Sequence, residues 1–250
     1  MRCVILVIVF SLVYAVAAHT RDGVIPLPPE DSEQLEKFLG KNVIGKAVQG
    51  KPLEKPGESE IYTKGGTWSY ELTSGKKSGT DCSDTIVLYS GEDRKGWKYH
   101  SCLESIDFES VDSKGNIIVT STVNHEHGVV TRFDPPMTAI KAGVAPGDKI
   151  TQTVDVKVYD LSNPDRETYS GTLDITLQYV GAYEVTVPAG TFEAALLRWD
   201  FNGKIGPATY EDRRYRLINL DEGLIAAVEQ TETFVIFYHE RERVGKILRK

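Results

Sequence analysis

The sequence predicts a mainly β fold: an antiparallel meandering sheet curled into a barrel or half-barrel, with one short N-terminal helix. Three observations carry this expectation. First, apolar residues recur with period two, most regularly at Ile150, Val154, Val156 and Val158 and again at Leu173, Ile175, Leu177 and Tyr179. Thr151, Thr153, Asp155 and Lys157, then Thr172, Asp174, Thr176 and Gln178, alternate with them, as on a sheet with one wet face. Second, turn chemistry such as Ser162-Asn163-Pro164-Asp165 and Asp221-Glu222-Gly223 punctuates the pattern. Third, a single segment carries helix signals, so no helices are at hand for parallel crossovers. Closure is expected because a long open sheet would leave edges unpaired and an apolar face bare.

The elements follow in order. Residues 1–18 read as a secretory signal peptide: Arg2, an apolar run from Val4 to Phe10, and Ala15-Val16-Ala17 or Val16-Ala17-Ala18 as the processing tripeptide. Residues 19–60 read as an extended segment with a short helix, whose N-cap is Asp31 or Ser32 and whose stop signal is Gly40. Within it, Gly45, Gly50, Pro52, Pro56 and Gly57 mark 45–60 as a linker or a loosely packed entry segment. Residues 61–250 read as the antiparallel β domain. Further strands are expected near 68–72, 85–89, 98–102, 117–123, 183–187, 192–201, 210–218, 224–231 and 233–240. Between Val187 and Thr191, Pro188-Ala189-Gly190 predicts a tight hairpin turn, with Gly190 supplying a positive φ.

Composition narrows the setting. The 250 residues carry a net charge of −7, which becomes about −8 once Arg2 is removed, so nucleic acid is not an expected partner. With 40% hydrophobic residues the chain can build a sizeable core. Loss of the leader removes Cys3 and leaves Cys82 and Cys102, which an exported chain is expected to pair. The expected location is periplasmic or secreted, with no transmembrane anchor after processing.

The order of several short pieces is similar to a known group. Gly66-Thr67-Trp68-Ser69-Tyr70, Ala145-Pro146-Gly147-Asp148, Val185 to Phe192 (the VPAGTF hairpin) and Gly223-Leu224-Ile225 together resemble the DUF3108-like bacterial envelope β proteins of unknown function. The resemblance implies an antiparallel β fold in the cell envelope and carries over no catalytic residue. This chain lacks the anchoring Cys of the lipoprotein members.

Candidate chemistry is sparse. Gly40 to Ala47 nearly spells a P-loop, but Ala47 stands where Mg²⁺ needs a hydroxyl. No nucleophile elbow occurs, no motif calls for a cofactor, and no carboxylate stands in an apolar run that would raise its pKa. His125 and His127 are the metal candidates, placed on one face if the segment is a strand, with His100, His239 or Asp134 as a third ligand. An exposed hairpin end is the simpler account of the same residues. Arg213, Arg214 and Arg216 form a basic stretch that reads as an exposed strand end. Trp199, Phe201, Phe234, Ile236, Phe237 and Tyr238 concentrate apolar bulk that could line a concave pocket. The sequence thus predicts an exported, non-enzymatic envelope protein whose concave sheet face takes an apolar small molecule or an envelope component. A metal-dependent hydrolase on His125 and His127, or a purely structural envelope subunit, are the alternatives.

Overall fold

Successive antiparallel hairpins close into a ring, as the period-two pattern and the turn residues require. The computed structural model describes residues 23–90, 95–235 and 238–250; the expected signal peptide lies outside them. Helix α1 (Pro29–Leu39) and strand β1 (Ile44–Val48) are followed by a 3-10 turn (Pro56–Glu58) and a one-turn helix, α2 (Glu60–Lys64). Then come β2 (Gly66–Ser74), β3 (Asp81–Ser90), β4 (Lys95–Ser101), β5 (Ser105–Val111), β6 (Ile117–Asn124) and β7 (Val129–Ile140). The second half holds β8 (Lys149–Asp160), β9 (Asn163–Val187), β10 (Gly190–Ile205), β11 (Ala208–Asn219), β12 (Gly223–Val235) and β13 (Tyr238–Leu248). From β2 onward each strand pairs with the next, and β13 pairs with β2, so twelve strands form a closed up-and-down barrel. The closing register sets Ile247 opposite Glu71 and Leu248 opposite Tyr70. Closure removes the open edges that such a long sheet would otherwise expose.

The long β9 serves two neighbours. Its first part pairs with β8 as far as Gln178↔Lys149, and its last part pairs with β1 at Ala182↔Val48 and Val185↔Ile44. The stretch expected as a linker is therefore tied to the barrel. Leu53 N donates to Val144 O (2.9 Å) and Gly143 N to Leu53 O (2.8 Å), while Ile61 and Tyr62 are buried. With this anchoring, residues 53–64 cap the barrel end where the 112–116, 141–148 and 220–222 turns gather. The opposite end carries the 102–104, 125–128, 161–162 and 206–207 turns.

The VPAGTF hairpin forms as expected. Pro188 and Ala189 make the link, Val187 pairs with Gly190, and Gly190 has φ +143°. The bulge lies further along, between Leu196 and Leu197. Cys82 on β3 and Cys102 just after β4 are joined, with Cα atoms 5.5 Å apart. The closed loop is worth roughly 3 kcal/mol by restricting the unfolded chain.

Two apolar layers hold the fold. One fills part of the barrel, with Val154, Val156, Ile175, Leu177 and Leu197 at its centre. The other lies between α1 and the outer barrel wall, where Leu35, Phe38 and Leu39 meet Leu196, Tyr215, Leu217 and Val228. Helix α1 begins at Pro29 rather than after Asp31 or Ser32, because proline suits the first helical position. Asp31 is thereby freed from capping: it is fully buried and accepts hydrogen bonds from Arg198 Nη1 (2.7 Å) and Tyr215 OH (3.0 Å).

Away from α1 the outer wall is mainly polar, with exposed apolar side chains such as Val87, Tyr169 and Phe234 as exceptions. On β8, Thr151, Thr153, Asp155 and Lys157 face out while Val154 and Val156 face in. A barrel that crosses a bilayer needs the reverse pattern, an apolar outer band. Among the described residues no helix is long and apolar enough to cross a membrane.

Candidate functional site

Inside the barrel is a cavity of about 300 Å³, and its two walls differ in chemistry. Strands β6, β8, β9 and β10 were legible in the sequence, and together with β7 their inward residues make the apolar wall: Val119, Met137, Ala139, Leu173, Trp199 and Phe201. Trp199 is held by donating from Nε1 to Ala139 O (3.1 Å). The facing wall comes from β5, β11, β12 and β13, which turn Asp107, Glu109, Arg214, Arg216, Glu229 and Glu242 inward. Glu126 and His127 lie where the cavity reaches the 125–128 turn.

The polar wall is partly neutralised from within. Lys246 Nζ lies 2.6 Å from Asp84 Oδ2, which also accepts from Tyr99 OH, while Asp84 Oδ1 accepts from Cys102 N (2.9 Å). Arg214 binds Asp212 through Nε (2.8 Å) and Nη2 (2.7 Å), and Tyr210 OH donates to the same oxygen (2.7 Å). Arg216 makes no ion pair among the described residues; its guanidinium sits against the rings of Trp199 (5.6 Å) and Tyr99 (5.7 Å). Such placement over aromatic faces stabilises a cation without a direct partner.

The carboxylates respond to this field. Burial pushes Glu109 up to about 8, the charge of Asp107 adds to the rise, and Arg216 and the Tyr62 hydroxyl partly offset it. Its Oε2 is buried without a hydrogen-bond partner. Glu229 behaves oppositely: burial works against its charge, but Arg214, Arg216 and Lys246 outweigh that and hold its pKa below the ordinary value. Glu242 is raised, first by burial and then by the charges of Glu126 and Glu229.

The rise of Glu109 sets a direction for stability against pH. The folded chain keeps a proton that the unfolded chain releases above pH 4.5, so this stabilisation is complete below that value and is lost as pH climbs through about 8. Glu109→Gln is therefore expected to gain on the wild type by ~1 kcal/mol per pH unit between pH 5 and 8 in urea titrations. Parallel pH profiles for the two proteins would contradict a buried, protonated Glu109.

The expected site residues separate. Trp199 and Phe201 line the cavity. Phe234 does not, because Thr231 and Thr233 are the lining residues of β12 and put it on the outer face, where it stacks on His239 at 4.0 Å. Ile236 and Phe237 lie outside the described residues, and Tyr238 opens β13. His125 and His127 fall in the turn after β6, which ends at Asn124, so strand alternation does not set their directions. Among the described residues no three His, Cys, Asp or Glu side chains are grouped to hold a metal. The arginine stretch divides: Arg214 and Arg216 point inward, and Arg213 points out toward Glu30. The expectation that no carboxylate has a raised pKa is overturned by Glu109. Sequence reading missed it because Asp107 and Glu109 on β5 look like a wet face. The available signal was their i, i+2 spacing on a strand whose partners turn tyrosine and tryptophan inward.

No family model matches this chain, and no curated protein matches it. Three solved structures are similar at low levels. A protein from Bacteroides fragilis with a YmcC-like fold has a TM-score of 0.40 at 12% identity, over 80% of this chain and 99% of its own. The hypothetical lipoprotein YmcC from Escherichia coli has a TM-score of 0.35 at 10% identity, over 88% and 95%. A chain named as a lipoprotein from Parabacteroides distasonis has a TM-score of 0.33 at 14% identity, over 80% and 97%. Likeness this slight supports no argument, and what the barrel does must be read from its own lumen.

Proposed function

We propose that this is an exported, non-enzymatic envelope protein that holds a small amphipathic, envelope-derived molecule inside its barrel. The observation that carries the reading is the 300 Å³ lumen with an apolar wall at Trp199, Phe201 and Leu173 facing a polar wall at Asp107, Glu109 and Arg216. A volume of this size suits a small ligand, and the pairing of apolar surface with a few fixed polar groups is what orients one. Export rests on the N-terminal pattern of residues 1–18 and agrees with the Cys82–Cys102 bridge. The polar outer wall supports a barrel that works in water. The apolar ligand expected on a concave sheet face is here refined to an amphipathic one, because half of that face is charged.

Solvent extraction of the mature protein purified from its own envelope, followed by mass spectrometry, tests this. About one amphipathic molecule per chain is expected, and Thr131→Trp, which fills the lumen from a half-buried lining position, should abolish it. Recovery of no such molecule, or equal recovery from the variant, would contradict the proposal.

A further inference from the structure

The lumen's charges are unbalanced, and the imbalance points to one class of ligand. Of the two arginines that line it, Arg214 is matched by Asp212, and Lys246, which lies off the lining, is matched by Asp84. That leaves Arg216 against five carboxyl groups: Asp107, Glu109, Glu126, Glu229 and Glu242. Asp107 Oδ1 accepts from Thr122 Oγ1 (2.7 Å), whereas Glu109, only 3% exposed, lines the cavity with Oε2 unpartnered. Ionising a carboxyl group buried in this way costs free energy unless a positive charge arrives beside it.

We infer that the lumen selects amphipathic cations, the apolar tail lying on Trp199, Phe201 and Leu173 and the positive head turned toward Glu109 and Asp107. The inference rests on the proposed role of the lumen as a binding site and names the ligand's charge. An anionic head is disfavoured because Arg214 is engaged twice by Asp212, and Arg216 is held between two rings in the field of Glu229 and Asp107. A divalent metal is disfavoured because the carboxylates do not converge on one point. An organic cation needs no such convergence. It is served by diffuse negative charge beside aromatic faces.

The groups facing Glu109 are Tyr62 of α2, Tyr70 of β2, Tyr99 of β4, Arg216 of β11 and Asp107 of its own strand. Glu109 titrates at about 8, so a bound cation should drive off its proton. Affinity for a permanent cation then rises with pH, while affinity for a neutral molecule does not.

Calorimetric titration of the full mature protein with three probes sharing one tail tests this: octyltrimethylammonium, octanol and octanoate. At pH 8 octyltrimethylammonium is expected to bind about tenfold tighter than octanol, and octanoate more weakly than either. Its affinity should climb from pH 6 to pH 9. Glu109→Gln is isosteric with the protonated acid and keeps the fold. It should cut the preference over octanol to about threefold or less, leave octanol unchanged and flatten the pH dependence. Octanoate binding as tightly as octyltrimethylammonium, or a preference that survives Glu109→Gln, would overturn the inference while leaving the lumen as a binding site. Failure of all three probes would overturn both.

Discussion

Replacing Asp84 with alanine is expected to lower the unfolding free energy by roughly 3–5 kcal/mol, because it strands a buried ammonium. Asp84 is fully buried and Lys246 is 2% exposed, so neither charge has water to fall back on. The carboxylate joins β13 through Lys246, β4 through Tyr99, and the segment after β4 through Cys102 N. That segment holds the disulfide, and β13 closes the barrel onto β2. Loss of Asp84 therefore acts where the ring closes. Removing both charges, as in Asp84→Leu with Lys246→Met, is expected to restore most of the loss, since the pair's own net worth is small beside the cost of splitting it. Urea titration of the single and double variants reads this. A single variant within about 1 kcal/mol of wild type would show that Lys246 finds another partner.

Asp31→Ala should have the second largest effect, about 2–4 kcal/mol, through the helix clamp rather than the lumen. Its carboxylate is fully buried and holds Arg198 of β10 and Tyr215 of β11 to the underside of α1. The neighbouring Glu30–Arg213 pair offers an internal contrast. Glu30 is exposed, so Glu30→Ala should cost far less than Asp31→Ala. Losing the clamp also loosens α1 from the apolar layer formed by Leu196, Leu217 and Val228. Limited proteolysis near Gly40 to Asn42 should therefore speed up in Asp31→Ala and stay unchanged in Glu30→Ala. Equal losses in the two variants would place the hold on α1 in its apolar contacts alone.

How much of this could be read from the chain depended on what the barrel interior contains. Where the inward face is apolar, as on β8 and β9, alternation was plain and the strands were placed. Where the inward face is charged, the pattern loses its sign. On β11 the inward residues are Tyr210, Asp212, Arg214 and Arg216, while Tyr215 and Leu217 face outward under α1. Strand β5 was missed for the same reason. Strand β7 was missed because Pro135 and Pro136 argue against a paired strand, yet the β6 pairing simply skips them. Strand β1 is only five residues long and gains its pairing from β9. The candidate site was half legible. Trp199 and Phe201 announce themselves by bulk and parity, whereas Glu109 acquires its character from burial against side chains that β2, β4, β11 and α2 bring to it.

The central claim is that the barrel's lumen takes up a ligand, and Met137 reports on it directly. Apart from Met1 it is the chain's one methionine, and it lines the apolar wall. With the methionine methyl labelled with carbon-13, the Met137 resonance should shift saturably as octyltrimethylammonium is added and should stay put in Thr131→Trp. A Met137 signal that ignores the probe while the probe binds elsewhere on the protein would contradict the account.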